Sequence, residues 1–393
     1  MNMPPKIDYS FLRHMTEQIF SKINHVYFRA KVLEFDKIKD RKKKLRIYFS
    51  NHSGMAFPWD GIVFNTLLWE QNNFEQGGFP RPLIHPMLTQ NKINNPYLIN
   101  DFWHRAGCVD ATLENFEALL ADNQDVLIFP EGVEGIGKGF EKRYQVQKFS
   151  TSFLRLAHRY DAEIVPVYTV NGEYLHPFAY KNDKLNHFVQ KFGLPFFPVS
   201  PFSPLAGIYP WMYYFSFPAK MHFVFGEPIA SEELFSASHT TLSRAHYIKI
   251  RDDVQKDFQA QLNKNVSLYG TDPFDFKELI EKLKLVPEMS LYLIPFNWPI
   301  LMTALVKEFE KGNRLELKFS AGELLRITLK NLDAYTFTLP FSWLPILSLK
   351  DYTFLDLWKG LSKWAEEEFH LPSKHETHGL HKNHGIMAEH KDL

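Results

Sequence analysis

Apolar residues recur every three or four positions along residues 6–33, and this spacing predicts a long amphipathic helix. Its other face carries Lys and Arg, and the basic run KIKDRKKKLR follows at residues 37–46. Twelve Lys or Arg minus five Asp or Glu give the first 50 residues a charge of +7. Two readings stay open for residues 1–44: docking on an anionic membrane surface, or a helix packed on the core with a solvated charged face.

Short apolar runs bounded by turn residues follow, and they predict buried strands. Helical patterns separate them, and alternating helices and strands indicate an α/β domain over residues 45–268. The predicted strands are Ile47–Phe49, Asp125–Phe129, Glu163–Val170 and Lys220–Ile229.

The last third of the chain predicts a small α+β domain of unknown role over residues 269–370. Its expected helices are Phe274–Leu285 and Phe354–Phe369, and its expected strands are Leu315–Phe319, Leu324–Leu329 and Tyr335–Leu339. The polar tail, residues 371–393, is predicted to be disordered. Its five histidines are at spacings that suit a metal only in a helix, so we expect no metal site there.

The composition of the chain argues against several classes of function. With 45% hydrophobic and 23% charged residues the chain is expected to fold, and its net charge of zero argues against bulk nucleic-acid binding. A single cysteine, Cys108, excludes an intrachain disulfide. No signal peptide is expected, and no apolar run reaches the roughly 18 residues that a membrane span needs. Any membrane contact is therefore expected to be peripheral.

A candidate acid–base pair follows the first predicted strand. Asn51 and His52 lie in the turn after that strand, and Asp60 opens the next apolar run. A carboxylate that returns to the imidazole would orient it as a base. The alternative is that Asp60 only caps a helix and His52 only fills a turn.

A glycine-punctuated loop follows the second predicted α/β strand. Glu131 and Gly132 come directly after DVLIFP, and Lys138, Lys142 and Arg143 add positive charge nearby. In α/β sheets ligands bind at the carboxyl ends of strands, so this loop is a second candidate for the site.

Together these segments resemble the glycerolipid acyltransferase superfamily, which includes the lysophosphatidate acyltransferases. The resemblance rests on five short motifs in the family's order, and the longer run FPEGVEGIGKGFEKRYQVQKF is similar to a branch with diacylglycerol-type acyltransferases. The motifs are Asn51-His52 with a later Asp, Gly107-Cys108-Val109, Phe129-Pro130-Glu131-Gly132, Ile164-Val165-Pro166-Val167 and Phe225-Gly226-Glu227-Pro228.

The resemblance implies a mixed sheet flanked by helices and an O-acyltransferase. Its donor would be acyl-CoA or an acyl carrier protein, with no other cofactor, and its acceptor a lipid alcohol or a lysophospholipid. His52 would be the general base and Asp60 its partner, while Glu131 and Gly132 would bind the acceptor. We expect a cytoplasmic protein, peripheral to the inner face of a membrane.

Three positions depart from the family pattern. Seven residues separate His52 from Asp60 where four are usual, and Asp110–Ala111 and Glu134 stand where the family carries arginines that bind phosphate. Lys138, Lys142 or Arg143 could substitute; otherwise the acceptor is less charged. A catalytically inactive lipid-binding or scaffolding protein is the main alternative, and a thioester hydrolase is the third.

Overall fold

A seven-stranded mixed sheet organises the protein in the computed structural model. The model describes residues 4–39, 44–75, 79–191, 194–201, 203–235, 242–287, 293–313 and 321–348. Residues 1–345 form one compact unit and residues 346–393 a second, of which only 346–348 are described. The domain boundaries expected at residues 44 and 268 stay predictions.

The strand order is β1-β7-β6-β2-β5-β3-β4. Strand β7 runs antiparallel to β6, and the other neighbouring pairs are parallel. The predicted α/β fold with a mixed sheet is thus confirmed. The strands are β1 Lys31–Leu33, β2 Arg46–Ser50, β3 Arg81–Ile84, β4 Val109–Asp110, β5 Val126–Ile128, β6 Glu163–Val170 and β7 His222–Phe225.

Helices cover both faces of this sheet. Their bounds are α1 Tyr9–Met15, α2 Trp59–Gln71, α3 Pro86–Gln90, α4 Phe102–Arg105, α5 Leu113–Ala121, α6 Val133–Ile136, α7 Ser152–Tyr160, α8 Asp183–Gln190, α9 Ser203–Ala206, α10 Ser231–Phe235, α11 Arg244–Tyr269, α12 Phe276–Lys284, α13 Trp298–Glu310, α14 Ala321–Lys330 and α15 Leu344–Leu347.

The core lies on both sides of the central strand β2. On one side Phe49 of β2 packs against Phe153 of α7 and Phe258 of α11. On the other, Phe64 of α2 stacks on Phe223 of β7, with ring centroids 5.0 Å apart. Burying each such ring contributes roughly 2–3 kcal/mol, so the site built on β2 rests on a stiff support.

The N-terminal segment is helical, but it ends earlier than predicted. Helix α1 continues through π-helical turns at Thr16–Phe20 and Ile23–Tyr27, and β1 then joins the sheet beside β7. The apolar face is buried: Phe11 contacts the rings of Phe102 and Phe309. That face is therefore occupied by the protein's own core.

The predicted strands of the C-terminal third are wrong where the structure describes them. Residues 324–329 lie in helix α14, and residues 335–337 lie in a 3-10 helix, Leu332–Phe337. Alternation of apolar and polar residues over five or six positions also suits one face of a helix, so the short pattern was ambiguous. The other predictions here, for residues 315–319, 354–369 and 371–393, lie outside the described residues.

Among the described residues, no helix combines the length and the apolar composition that a membrane crossing requires.

Candidate active site

Strand β2 lies between β5 and β6, so the ends of three parallel strands meet at the centre of one sheet edge. His52 follows β2, Glu131 follows β5, and Asn171 and Glu173 follow β6. Buried Asn51 fixes the exit from β2, because its amide donates to the Thr169 carbonyl (2.9 Å) and accepts from the Thr169 amide (2.8 Å). His52 is thereby set just beyond the sheet edge.

The seven residues between His52 and Asp60 fold out as a compact loop. Met55 takes the left-handed conformation with φ of 62°, and the Ala56 amide donates to the Gly54 carbonyl at 2.8 Å. The chain then returns into α2, where Asp60 occupies the first turn. The long spacing is absorbed by this loop, and the two side chains still meet.

His52 Nδ1 lies 2.8 Å from Asp60 Oδ2, and the Asp60 side chain is fully buried. The same oxygen accepts the backbone N–H groups of Ser53 (2.6 Å) and Gly54 (3.1 Å). Burial alone would raise the pKa of Asp60, but His52 and the backbone donors hold that pKa below its ordinary value. The carboxylate is therefore ionised and Nδ1 carries the proton that it accepts.

The other ring nitrogen of His52 faces away from this carboxylate. The imidazole stacks on Phe129 with ring centroids 4.2 Å apart, and 13% of its side-chain surface stays exposed. In the part of the chain that the structure describes, no group hydrogen-bonds Nε2. A ring held by a carboxylate at Nδ1, with Nε2 free of protein partners among the described residues, is the geometry that a general base needs.

Glu131 is a buried neighbour of this pair and holds the backbone around it. Its Oε1 accepts from the His52 amide at 2.9 Å, and its Oε2 accepts from the Gln147 amide at 2.5 Å. Burial raises the pKa of this carboxyl group, although Lys138 and the two amides oppose the rise. Glu131 therefore positions His52 directly.

The glycine-rich loop is shaped to fit this cluster. Gly132 has φ of 58°, a value that favours glycine. Gly135 packs so closely that a Cβ there would lie 2.7 Å from Glu131 Cβ and 3.1 Å from His52 Cβ. The loop thus presses on both site residues through bare backbone.

Two predicted acceptor-binding cations lie in different surroundings. Lys138 is completely buried, and its Nζ lies 3.0 Å from Glu173 Oε1 at an angle outside hydrogen-bond geometry. Its assignment as an acceptor ligand stays a prediction, and its charge is enclosed beside that of Glu173. Arg143 is exposed, and its guanidinium lies 5.1 Å from the Phe140 ring centroid.

Acidic residues occupy the positions of the family's phosphate-binding arginines. Asp110 accepts a hydrogen bond from the Thr89 hydroxyl. Glu134 is exposed and pairs with Lys181 at 2.7 Å. Neither position offers a cation to a phosphate group.

Sequence reasoning missed four residues that shape the site. They are the stacking ring of Phe129, the close-packed Gly135, the buried anion Glu173, and His176, whose Nδ1 lies 2.8 Å from the Gly54 carbonyl. Two of them gave a signal: Phe129 opens the third motif, and Gly135 is one of several glycines in its loop. The roles of Glu173 and His176 depend on contacts between distant segments.

A cysteine nucleophile is disfavoured. Burial raises the pKa of the Cys108 thiol to about 12, so this cysteine is a poor nucleophile. Among the described residues no group of three His, Cys, Asp or Glu is close enough to hold a metal ion.

Comparisons with known proteins find a family model and several relatives similar to part of this chain. A model of the acyltransferase family matches residues 33–170. Uncharacterized proteins of Mycobacterium bovis and Mycobacterium tuberculosis are 28% identical over 211 residues, which is 53% of this chain and 54% of theirs. One of Mycobacterium leprae is 28% identical over 207 residues, covering 52% of this chain and 51% of its own. The match thus spans about half the length of these relatives.

A similarity to a solved structure is also found. The crystal structure of the 1-acyl-sn-glycerophosphate acyltransferase of Thermotoga maritima aligns with a TM-score of 0.34 and 15% identity, covering 65% of this chain and 85% of that chain. The family match covers strands β2 to β6 and includes His52, Asp60 and Glu131. Residues 33–170 are therefore similar to the acyltransferase family.

Proposed function

We propose that this protein transfers a fatty acyl group from a thioester, acyl-CoA or an acyl carrier protein, to the hydroxyl of a lipid alcohol at a membrane surface. The observation that carries the proposal is the 2.8 Å contact between His52 Nδ1 and the buried Asp60 carboxylate, which leaves Nε2 available as a base. A protein that only bound lipid would have no need of a buried, ionised carboxylate behind a histidine.

The chemistry needs no acyl-enzyme. His52 Nε2 takes the acceptor hydroxyl proton as the oxygen attacks the thioester carbonyl, and Asp60 stabilises the imidazolium. The tetrahedral intermediate collapses, the C–S bond breaks, and the leaving sulfur takes the proton from Nε2. The products are an ester and a free thiol, and the enzyme returns to its starting state.

We further propose that the acceptor carries no phosphate monoester. Recognition of a phosphate dianion needs cationic donors. Lys138 is enclosed, and Glu134 and Asp110 stand where arginines would be expected. Arg143 and Lys142 remain exposed on the loop, but they lie outside the buried cluster. A monoacylglycerol, a diacylglycerol or another uncharged lipid alcohol fits this charge distribution better.

The test is thiol release by purified protein with acyl-CoA and a panel of acceptors: lysophosphatidate, monoacylglycerol and diacylglycerol. We expect ester formation with a preference for the uncharged alcohols, and a fall of roughly 10²–10⁴-fold in kcat/KM for His52→Ala. Equal turnover by wild type and His52→Ala would reject the mechanism. Thiol release without ester would identify a hydrolase, and no release with any acceptor would favour the lipid-binding alternative.

A further inference from the structure

Two stretches of the chain that carry no charged residue meet at the protein surface. Residues 192–219 and 334–349 contain no Asp, Glu, Lys or Arg, although these four types make up 23% of the whole chain. The two stretches are far apart in sequence, so their meeting depends on the fold. Where they meet, their apolar side chains combine into one surface.

Three side-chain hydrogen bonds join the two stretches. The Ser342 hydroxyl donates to the Ile208 carbonyl at 2.6 Å, and Trp343 Nε1 donates to the Gly207 carbonyl at 2.8 Å. Trp211 Nε1 donates to the Ser342 carbonyl at 2.6 Å. The large apolar side chains around this junction stay 48–58% exposed and are called the neutral face: Leu205, Ile208, Leu339, Phe341 and Leu344.

The first stretch also reaches the candidate active site. The Tyr214 carbonyl accepts a hydrogen bond from Trp59 Nε1 at 3.1 Å, and Trp59 is the residue directly before Asp60. Nearer its beginning, the stretch lines a cleft with the side chain of Phe196, and Met55 from the loop that precedes Asp60 lines the same cleft. One segment therefore carries part of the neutral face and contacts with the loop of the site.

The chemistry of the neutral face fits lipid better than a protein partner. Protein interfaces combine apolar contacts with about one hydrogen bond per 100–200 Å², and they are enriched in Arg. Here neither stretch supplies a charge, and the indole and hydroxyl donors at the junction already donate to carbonyl groups of the chain. Hydrocarbon accepts no hydrogen bonds, so a surface that enters it must satisfy its own polar groups. Trp rings, such as that of Trp343, are typical of the boundary between lipid and water.

We propose that the neutral face is the surface with which this protein docks on a lipid bilayer, its exposed Leu, Ile and Phe side chains entering between the acyl chains. This inference rests on the proposed acyl transfer, because the bilayer is then the source of the lipid acceptor. Docking through this face places the uncharged stretch of residues 192–219 between the bilayer and the cleft beside the His52–Asp60 loop.

The first test is co-sedimentation with phosphatidylcholine vesicles at high salt, where attraction between surface charges is screened. We expect the double variant Leu205→Gln/Leu344→Gln to bind at least about tenfold more weakly than the wild type, because two apolar side chains are lost from the face. The matched control Leu113→Gln/Leu268→Gln makes the same change at exposed leucines of α5 and α11 and should bind normally.

The second test locates the contact with a fluorophore that responds to the polarity around it. Cys108 is buried and is the single cysteine of the chain, so a thiol-reactive fluorophore labels an introduced surface cysteine selectively. On addition of the vesicles, a probe at Leu205→Cys should shift its emission to the blue and be quenched by nitroxide-labelled lipid. A probe at Leu268→Cys should do neither.

Three results would overturn the inference. Equal vesicle binding by the two double variants, with an unquenched probe at position 205, would show that the bilayer does not contact the face. A probe in an apolar environment before vesicles are added would show that the chain itself covers it. Self-association of the wild type that the Leu205→Gln/Leu344→Gln variant loses, without vesicle binding by either, would assign the face to a second copy of the chain.

Failure of the proposed function gives a different result. Absence of acyl transfer by the wild type, with vesicle binding and quenching as expected, would reject the enzyme activity and leave the docking surface in place. Acyl transfer by a wild type whose probe at position 205 stays in water would reject the docking surface alone.

Discussion

At the scale of single residues, the site depends on backbone approaching side chains more closely than any Cβ would allow. Gly135 is the sharpest case, because a Cβ there would lie 2.7 Å from Glu131 and 3.1 Å from His52. Gly61, one residue after Asp60, is the contrast: its added Cβ would lie 3.6 Å from the Phe129 ring, an ordinary contact. Both glycines adjoin the same site, but we expect their substitution by alanine to have opposite effects.

We expect Gly135→Ala to lower kcat/KM by about 10²-fold and to cost roughly 1–3 kcal/mol of unfolding free energy, because His52 and Glu131 must shift. Gly61→Ala is the matched control and should keep activity while gaining about 0.5–1 kcal/mol, since it replaces a helical glycine. Turnover assays and chemical denaturation measure both. Wild-type activity in Gly135→Ala would show that the loop can shift without displacing His52.

His52, Asp60, Glu131 and Gly132 could be chosen from the sequence because strand ends and family motifs mark them. The environment of Lys138 could not be predicted in this way. Its burial depends on Glu173, which lies 35 positions later and reaches it only after β6 has paired with β2. From the sequence alone, a lysine in a glycine-rich loop is expected to be exposed and to bind a ligand. The carboxylate that lies beside it in the folded protein is too distant in sequence to be identified.

At the scale of elements, strands made of a continuous apolar run were predictable, even the three-residue β5, whereas β1 and β3 were not. Strand β6 has the predicted bounds, and α2 begins where Asp60 was expected to open it. Strand β1 was missed because it continues the periodicity of the preceding helix. Strand β3 was missed because residues 74–95 are rich in Gly, Pro and Asn, a composition that predicts a loop. Whether these two segments form strands depends on the neighbouring strand with which each one pairs.

The loop between His52 and Asp60 is held by a partner from a different element. Both ring nitrogens of His176 lie within hydrogen-bond distance of carbonyl oxygens, that of Gly54 (2.8 Å) and that of Phe215 (2.6 Å). Only the doubly protonated ring donates to both at once. His176 thus links the loop that carries Asp60's backbone donors to the aromatic segment at Phe215.

We expect His176→Leu to release this loop and to lower kcat/KM by roughly ten- to hundredfold, because a loosened Gly54 weakens the amide cluster on Asp60. Amide hydrogen exchange at Ser53 and Gly54 should accelerate in the same variant. His187→Leu, at an exposed position in α8, is the control and should change neither. Unchanged exchange at the two amides would show that other contacts fix the loop.

At the scale of the whole molecule, the excess positive charge of the first 50 residues is partly neutralised by acidic residues elsewhere. Arg46 pairs with Glu163, and Lys44 with Glu232. The apolar face of the N-terminal helix is buried as well, so a membrane anchor made of that face would require the segment to leave the core. In the folded protein this segment can offer a membrane the basic side chains that remain.

Lys6, Lys22 and Lys31 form no ion pair with any residue that the structure describes, so they are the side chains best placed to meet anionic lipid. We expect the triple Lys→Gln variant at these positions to bind anionic vesicles at least about tenfold more weakly, at roughly 1 kcal/mol per lysine near the surface. Co-sedimentation with phosphatidylserine-containing vesicles at low salt measures this. The triple Lys→Gln change at Lys249, Lys256 and Lys264 of α11 removes the same charge from exposed positions and should bind normally. Equally weakened vesicle binding in both variants would show that only the net charge of the protein matters. Unchanged binding in both variants would show that the three N-terminal lysines do not contact the membrane.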